Sequence, residues 1–109
     1  METISFEEFK KVEIKIGTVL SVERLEGSDK LLKLMFDLGT GQPVQILAGI
    51  AQFYELEFLV GKQMPVVVNL EPRLLLGFHS NGMILAADGD GRPVILNPAQ
   101  AVPPGSMVR

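Results

Sequence analysis

Cysteine is absent from the chain and histidine occurs once, as His79. The first absence excludes a disulfide framework, a thiolate nucleophile and a cysteine-based zinc site. A lone imidazole removes most other metal chemistry, so neither a metal nor another cofactor is expected. Positive charge is also short: 10 Lys and Arg against 13 Asp and Glu leave a formal net charge of -3. Nonspecific nucleic-acid binders carry net positive charge or a marked basic face, so any RNA site here must be local. No apolar run approaches the roughly 20 residues of a membrane-spanning helix, and Met1-Glu2-Thr3 is acidic where a signal peptide would begin basic. The expected location is cytoplasmic, with no membrane partner. Aromatic residues are scattered (Phe36, Phe53, Tyr54, Phe58, Phe78), which leaves no evident platform of the kind that single-strand binders use to stack bases.

The 109 residues suit a single domain, 1–109, with one core. A hydrophobic fraction of 47% excludes intrinsic disorder and is high for a small monomer, so part of the apolar surface is expected to meet a second subunit. Basic residues gather early, at Lys10, Lys11, Lys15, Arg24, Lys30 and Lys33, with acids interleaved among them.

Ser5-Phe6-Glu7-Glu8-Phe9 has the serine cap and the glutamate three residues on that begin a short helix. From Val12 to Val22, apolar residues at Val12, Ile14, Ile16, Leu20 and Val22 follow the two-residue period of a strand with one face buried. Gly17 inside it predicts a bulge or bend there. Leu32 to Leu38 and Val44 to Ile50 read as the second and third strands. Ala51 to Val60 lacks alternation and is expected to hold a short helix before a fourth strand, Met64 to Leu70. Gly82 to Ala87 is the expected fifth strand, and Asp88-Gly89-Asp90-Gly91 a turn into Pro93-Val94-Ile95-Leu96. This order predicts an all-β fold: a five-stranded, partly open OB barrel with a short helix between strands three and four. The residues from about 91 to 109 form a C-terminal extension.

Two segments carry the functional signal. Asn69-Leu70-Glu71-Pro72-Arg73 leads from an apolar strand into a compact loop, Leu74-Leu75-Leu76-Gly77-Phe78-His79-Ser80-Asn81-Gly82-Met83, and Glu26-Gly27-Ser28-Asp29-Lys30-Leu31-Leu32-Lys33-Leu34 lies upstream. Together, in this order, they resemble the family of tRNA-binding OB domains: the C-terminal module of methionyl-tRNA synthetases, its free-standing subunit forms and stand-alone relatives. The resemblance runs from about Ile4 to Val108. It implies noncatalytic, structure-specific binding at the outer corner of the tRNA L, with an aminoacyl-tRNA synthetase as a partner in cis or in trans. It also implies a homodimer built by the C-terminal extension, for which Val94, Ile95, Leu96, Val102 and Val108 are candidate interface residues. Met1 and the short N-terminal helix fit a free-standing protein, although a fragment beginning at an internal methionine would read the same. The signature for methionine activation is absent, so no aminoacylation is expected of this chain alone.

Lys30 and Lys33 are candidate phosphate contacts, against the plain reading of two solvated lysines. Arg73, stiffened by Pro72, offers a guanidinium fork suited to phosphate. In the family the next residue is commonly basic, whereas here Leu74 follows. Asn69 is read first as a lock on the loop that follows it and second as an RNA contact. Ser80 supplies a small donor, Gly82 permits close backbone approach, and Met83 is read mainly as a structural anchor. The pair His79-Ser80 tempts a hydrolase reading, but neighbours on extended backbone point to opposite faces and no third group orients them. The competing function is a protein-binding, chaperone-like homodimer of the CsaA type, favoured by Leu74-Leu75-Leu76, the acidic balance and the apolar C-terminal third.

Overall fold

The computed structural model describes residues 1–109. Helix α1 (Phe6–Phe9) begins at Ser5, whose hydroxyl accepts from the Glu8 N–H while the Glu8 carboxylate turns back to the Ser5 N–H. Strands follow as β1 (Ile14–Arg24), β2 (Leu32–Asp37) and β3 (Val44–Ala48). Helix α2 (Leu56–Leu59) precedes β4 (Gln63–Val67), β5 (Arg73–Leu75), β6 (Phe78–Ser80), β7 (Met83–Ile84), β8 (Ala86–Gly89), β9 (Arg92–Ile95) and β10 (Met107–Val108). No helix is long and apolar enough to cross a membrane.

The main sheet runs β3-β2-β1-β4-β7 and curls into an all-β, OB-type barrel with α2 between the third and fourth strands. β1 serves both sides: Ile14 to Thr18 pair with β4, and Thr18 to Arg24 pair with β2. The bulge that bends it lies at Leu20, between Val19 and Ser21, rather than at Gly17. The inserted residue reverses the alternation, so Val19 is buried and Leu20 points outward, contrary to the even-numbered face expected throughout. Gly17 answers to packing instead, since a Cβ there would stand 2.8 Å from the Phe36 ring.

Leu32, Leu34 and Phe36 of β2, Ile46 of β3, Met64 and Val66 of β4 and Leu59 of α2 fill the interior, all fully buried. α2 acts as a plug: Leu59 enters the core, and the residues after it return to β1 through hydrogen bonds from Gly61 N–H to Val19 O and from Val19 N–H to Lys62 O. Burying one such leucine contributes about 1.5–3 kcal/mol.

The barrel closes between β3 and the β6–β7 segment through a few specific bonds. Asn81 N–H donates to Gln45 O at 2.9 Å, the Gln45 amide donates to His79 O at 3.0 Å, and Leu47 N–H donates to the Ser80 hydroxyl at 3.0 Å. The expected fifth strand divides at Leu85: Met83 and Ile84 pair with β4, while Ala86 to Gly89 form a separate hairpin with β9. The C-terminal segment folds back on the barrel. Gln63 holds it, donating to Val102 O and accepting from Val102 N–H, and β10 adds to β1 beside Ile14 and Lys15. Val94, Leu96 and Val108 of the extension are exposed, and Ile95 and Val102 are half-buried.

Candidate nucleic-acid interface

Ser28 shapes the first motif. Its hydroxyl accepts from the N–H groups of both Lys30 and Leu31, a serine turn that sets the chain up to enter β2. Lys30 O accepts from Ala51 N–H, which ties this turn to the segment after β3. The Lys30 side chain is exposed and takes part in neither of the two ion pairs in the protein.

Along β2 the alternation that buries Leu32 and Leu34 turns Lys33 outward. Its ammonium lies 3.6 Å from a Glu23 carboxylate oxygen and 5.0 Å from the centroid of the Phe78 ring. Lys33 thus joins β1, β2 and β6. Glu23 is exposed, whereas the Lys33 side chain is only 19% exposed, so its ammonium is largely covered between Glu23 and the Phe78 ring.

The second motif, expected as a loop, is a two-stranded hairpin. Arg73 pairs with Ser80, Leu74 with His79, and Leu75 with Phe78, leaving Leu76 and Gly77 as the turn. Their φ values are 50° and 81°, the left-handed pair of a type I′ turn. Glycine adopts that conformation freely, whereas for an L-residue the left-handed region costs roughly 1–2 kcal/mol. Leu76 is 52% exposed and Leu74 63%, so packing offsets little of that strain.

Ser80 anchors the hairpin. It is buried, accepting from Leu47 N–H and donating to Gly82 O at 3.1 Å, so its hydroxyl is engaged within the protein. Gly82 sits where a Cβ would press to 3.0 Å from Val67 O and 3.1 Å from Ile46. Asn69 accepts from Glu13 N–H at 2.9 Å and donates to Lys11 O at 2.6 Å, pinning the segment ahead of β1 rather than the loop that follows it. Arg73 is exposed and outside both ion pairs, and it lines a cleft of about 260 Å³ together with Leu47, Ile50, Met83 and Pro93. Met83 is 42% exposed on that cleft.

The candidate residues therefore divide. Asn69, Ser80 and Gly82 build the framework; Lys30 and Arg73 present free cations; Lys33 and Met83 stand at the border. Two contributors escaped sequence reasoning. Gln45, which grips β6, showed only as one polar residue in the apolar run Val44 to Ala48, and Phe78, beneath Lys33, lay inside a recognised motif without a role.

Comparison with known proteins places this arrangement among relatives. Residues 14–107 match the tRNA_bind family model, described as a tRNA binding domain. A methionine-tRNA ligase of Methanothrix thermoacetophila is 50% identical over 106 residues, a match covering 97% of this chain and 16% of the ligase. The chain thus spans about one-sixth of the length of the curated relatives it matches. Among solved structures, a MetRS related protein from Pyrococcus horikoshii superimposes with a TM-score of 0.93 at 35% identity, covering 100% of both chains. The chaperone CsaA of Bacillus anthracis superimposes with a TM-score of 0.88 at 30% identity, covering 99% of this chain and 100% of that one.

Proposed function

The chain belongs to the tRNA binding domain family, and from that premise we propose that it is a noncatalytic, structure-specific tRNA-binding module. The observation that carries the reading is the β5–β6 hairpin: Ser80 fixes it against β3, and Arg73 at its root stands free of ion pairs, as does Lys30 in the turn before β2. Lys33 reaches the same hairpin through Phe78. Arg73 and Lys33 at the hairpin, with Lys30 at the turn into β2, supply local attraction for a phosphate backbone on a protein of net negative charge. Of the exposed phenylalanines only Phe78 lies on this hairpin, so the site offers no row of rings for successive bases, which suits recognition of folded RNA by shape and phosphate position.

The module works beside a methionyl-tRNA synthetase in the cytoplasm, raising the effective concentration of tRNA in cis or in trans. Residues 1–109 act as one domain, and the segment from about 91 to 109 forms a homodimer interface. Exposed Val94, Leu96 and Val108 support that assignment. Sedimentation showing only monomer at micromolar concentration would remove the dimer from this reading. The primary test is filter binding of bulk tRNA across a salt series to the parent and to a variant with Lys30, Lys33 and Arg73 all changed to alanine. A folded triple variant that binds as tightly as the parent would overturn the site.

A second reading, a CsaA-like homodimer that binds unfolded protein, draws on the exposed leucines of the hairpin and on the likeness to the CsaA chaperone. A denatured client protein in the same assay separates the two.

A further inference from the structure

Leu76 combines two properties that the fold itself does not need. It holds a left-handed backbone at φ 50°, where Asn or Asp is favoured because a short polar side chain bonds its own backbone, and its apolar side chain is 52% exposed. A strained residue with an exposed side chain is retained where something outside the chain uses it. Leu74, also on the outer part of the hairpin, is 63% exposed. Two leucines at a hairpin tip are far too small to hold a protein partner alone, since such interfaces bury about 800 Å² on each side. Arg73, at the root of the same hairpin, has no ion-pair partner, and Lys33 approaches it through Phe78. A small apolar tip behind unpaired positive charge is complementary to a folded nucleic acid, whose outermost bases offer a flat apolar face bordered by phosphates.

We propose that Leu76, supported by Leu74, is an apolar wedge that packs on an exposed base face of folded tRNA while Arg73 holds the adjoining backbone. The inference rests on the tRNA-binding reading and specifies how that site grips its ligand. An apolar contact releases no counterions, so it contributes affinity without salt dependence.

The test uses Leu76→Asn, which keeps the turn geometry and removes both the strain and the apolar surface, alongside Arg73→Ala and Leu76→Met. Binding of bulk tRNA is followed by fluorescence anisotropy across a salt series, together with thermal unfolding. Leu76→Asn is expected to raise the melting temperature by roughly 4–8 °C. It should weaken tRNA binding roughly fivefold to tenfold at every salt concentration, with an unchanged salt slope. Leu76→Met should bind like the parent, and Arg73→Ala should lower the slope by about one. A Leu76→Asn variant that binds tRNA as tightly as the parent while Arg73→Ala binds weakly overturns the wedge and leaves the tRNA reading standing. If the parent binds tRNA and neither variant changes that binding, the wedge is overturned together with the Arg73 site; a parent that does not bind tRNA overturns the tRNA reading itself. A melting temperature that falls for Leu76→Asn, or a slope that changes with it, also overturns the wedge. So does a loss confined to binding of reduced, carboxymethylated α-lactalbumin, which would assign the tip to protein clients.

Discussion

Two hairpins in this molecule make the same turn with different residues. β5–β6 turns through Leu76 and Gly77 at φ 50° and 81°; β8–β9 turns through Asp90 and Gly91 at φ 57° and 83°. Each is anchored by one hydroxyl. Ser80 bridges Leu47 and Gly82, whereas Tyr54 donates to Pro93 O at 2.9 Å and accepts from Ile95 N–H at 3.1 Å. The turns themselves differ in local quality. Asp90-Gly91 is the residue pair such a turn favours, and Asp88 further accepts from Gly91 N–H at 2.7 Å. Leu76 has no such support. Local chemistry has been optimised in β8–β9 and set aside in β5–β6, and the hairpin with the poorer turn is the one that carries Arg73 and contacts Lys33. Departure from local consistency marks the place where the surface serves something else.

The largest way to break the parallel is at the anchors. Ser80→Ala leaves the buried Leu47 N–H without its acceptor and should cost about 1–3 kcal/mol of stability, read by chemical denaturation. It should weaken tRNA binding as well, because the hairpin is then held to β3 only through Gln45. Tyr54→Phe removes the corresponding hydroxyl and should destabilise comparably while leaving tRNA binding intact. Equal effects of the two variants on binding would show that both hairpins take part.

Each hairpin also carries an arginine. Arg73→Ala should lower tRNA affinity by about 1–2 kcal/mol with the fold unchanged, the worth of a charged hydrogen bond to phosphate. Arg92, which lies over the Phe53 ring at 5.7 Å, should be near neutral in the same titration. A loss at Arg92 equal to that at Arg73 would extend the interface to β8–β9.

The turns offer a smaller test. Asp90→Leu recreates in β8–β9 the strain that β5–β6 already bears and should lower stability by about 1 kcal/mol. Binding should not respond. A gain in tRNA affinity would mean that any apolar turn tip on this protein suffices.

The contrast between these hairpins also explains what could be read in advance. Asp88-Gly89-Asp90-Gly91 announced its turn because the residue types are those the backbone conformation selects. Leu76-Gly77 did not, since the flanking strands have three residues each and a leucine gives no turn signal, so the segment passed for a loop. The barrel order was legible because β1 to β4 read as alternating or apolar runs and the α2 segment interrupts them without alternation. The bulge at Leu20 was not, because an inserted residue leaves no mark on composition and shows only in the pairing of Val19 with Phe36 and Ser21 with Met35. Of the site, Lys30 and Arg73 were visible as charges beside turn residues. That Ser80, Gly82 and Asn69 engage the protein rather than open solvent depended on partners 33 to 56 residues away, at Leu47, Ile46 and Glu13.

The smallest expected effect is at His79. The residue pairs with Leu74 on the exposed side of β6, while its neighbour Ser80 turns inward, so the two side chains point to opposite faces and Ser80 is already engaged by Leu47 and Gly82. What His79 contributes to the hairpin is its carbonyl, which accepts from the Gln45 amide at 3.0 Å and survives any side-chain change. His79→Ala should therefore alter stability by no more than about 0.5 kcal/mol, as expected for a surface position outside any buried network. Its effect on tRNA affinity should fall well below that of Arg73→Ala in the same salt series. A larger loss for His79 than for Arg73 would move the contact surface from the root of the hairpin to its outward strand face, and Lys33, which meets the hairpin at Phe78, would then lie on the wrong side of it.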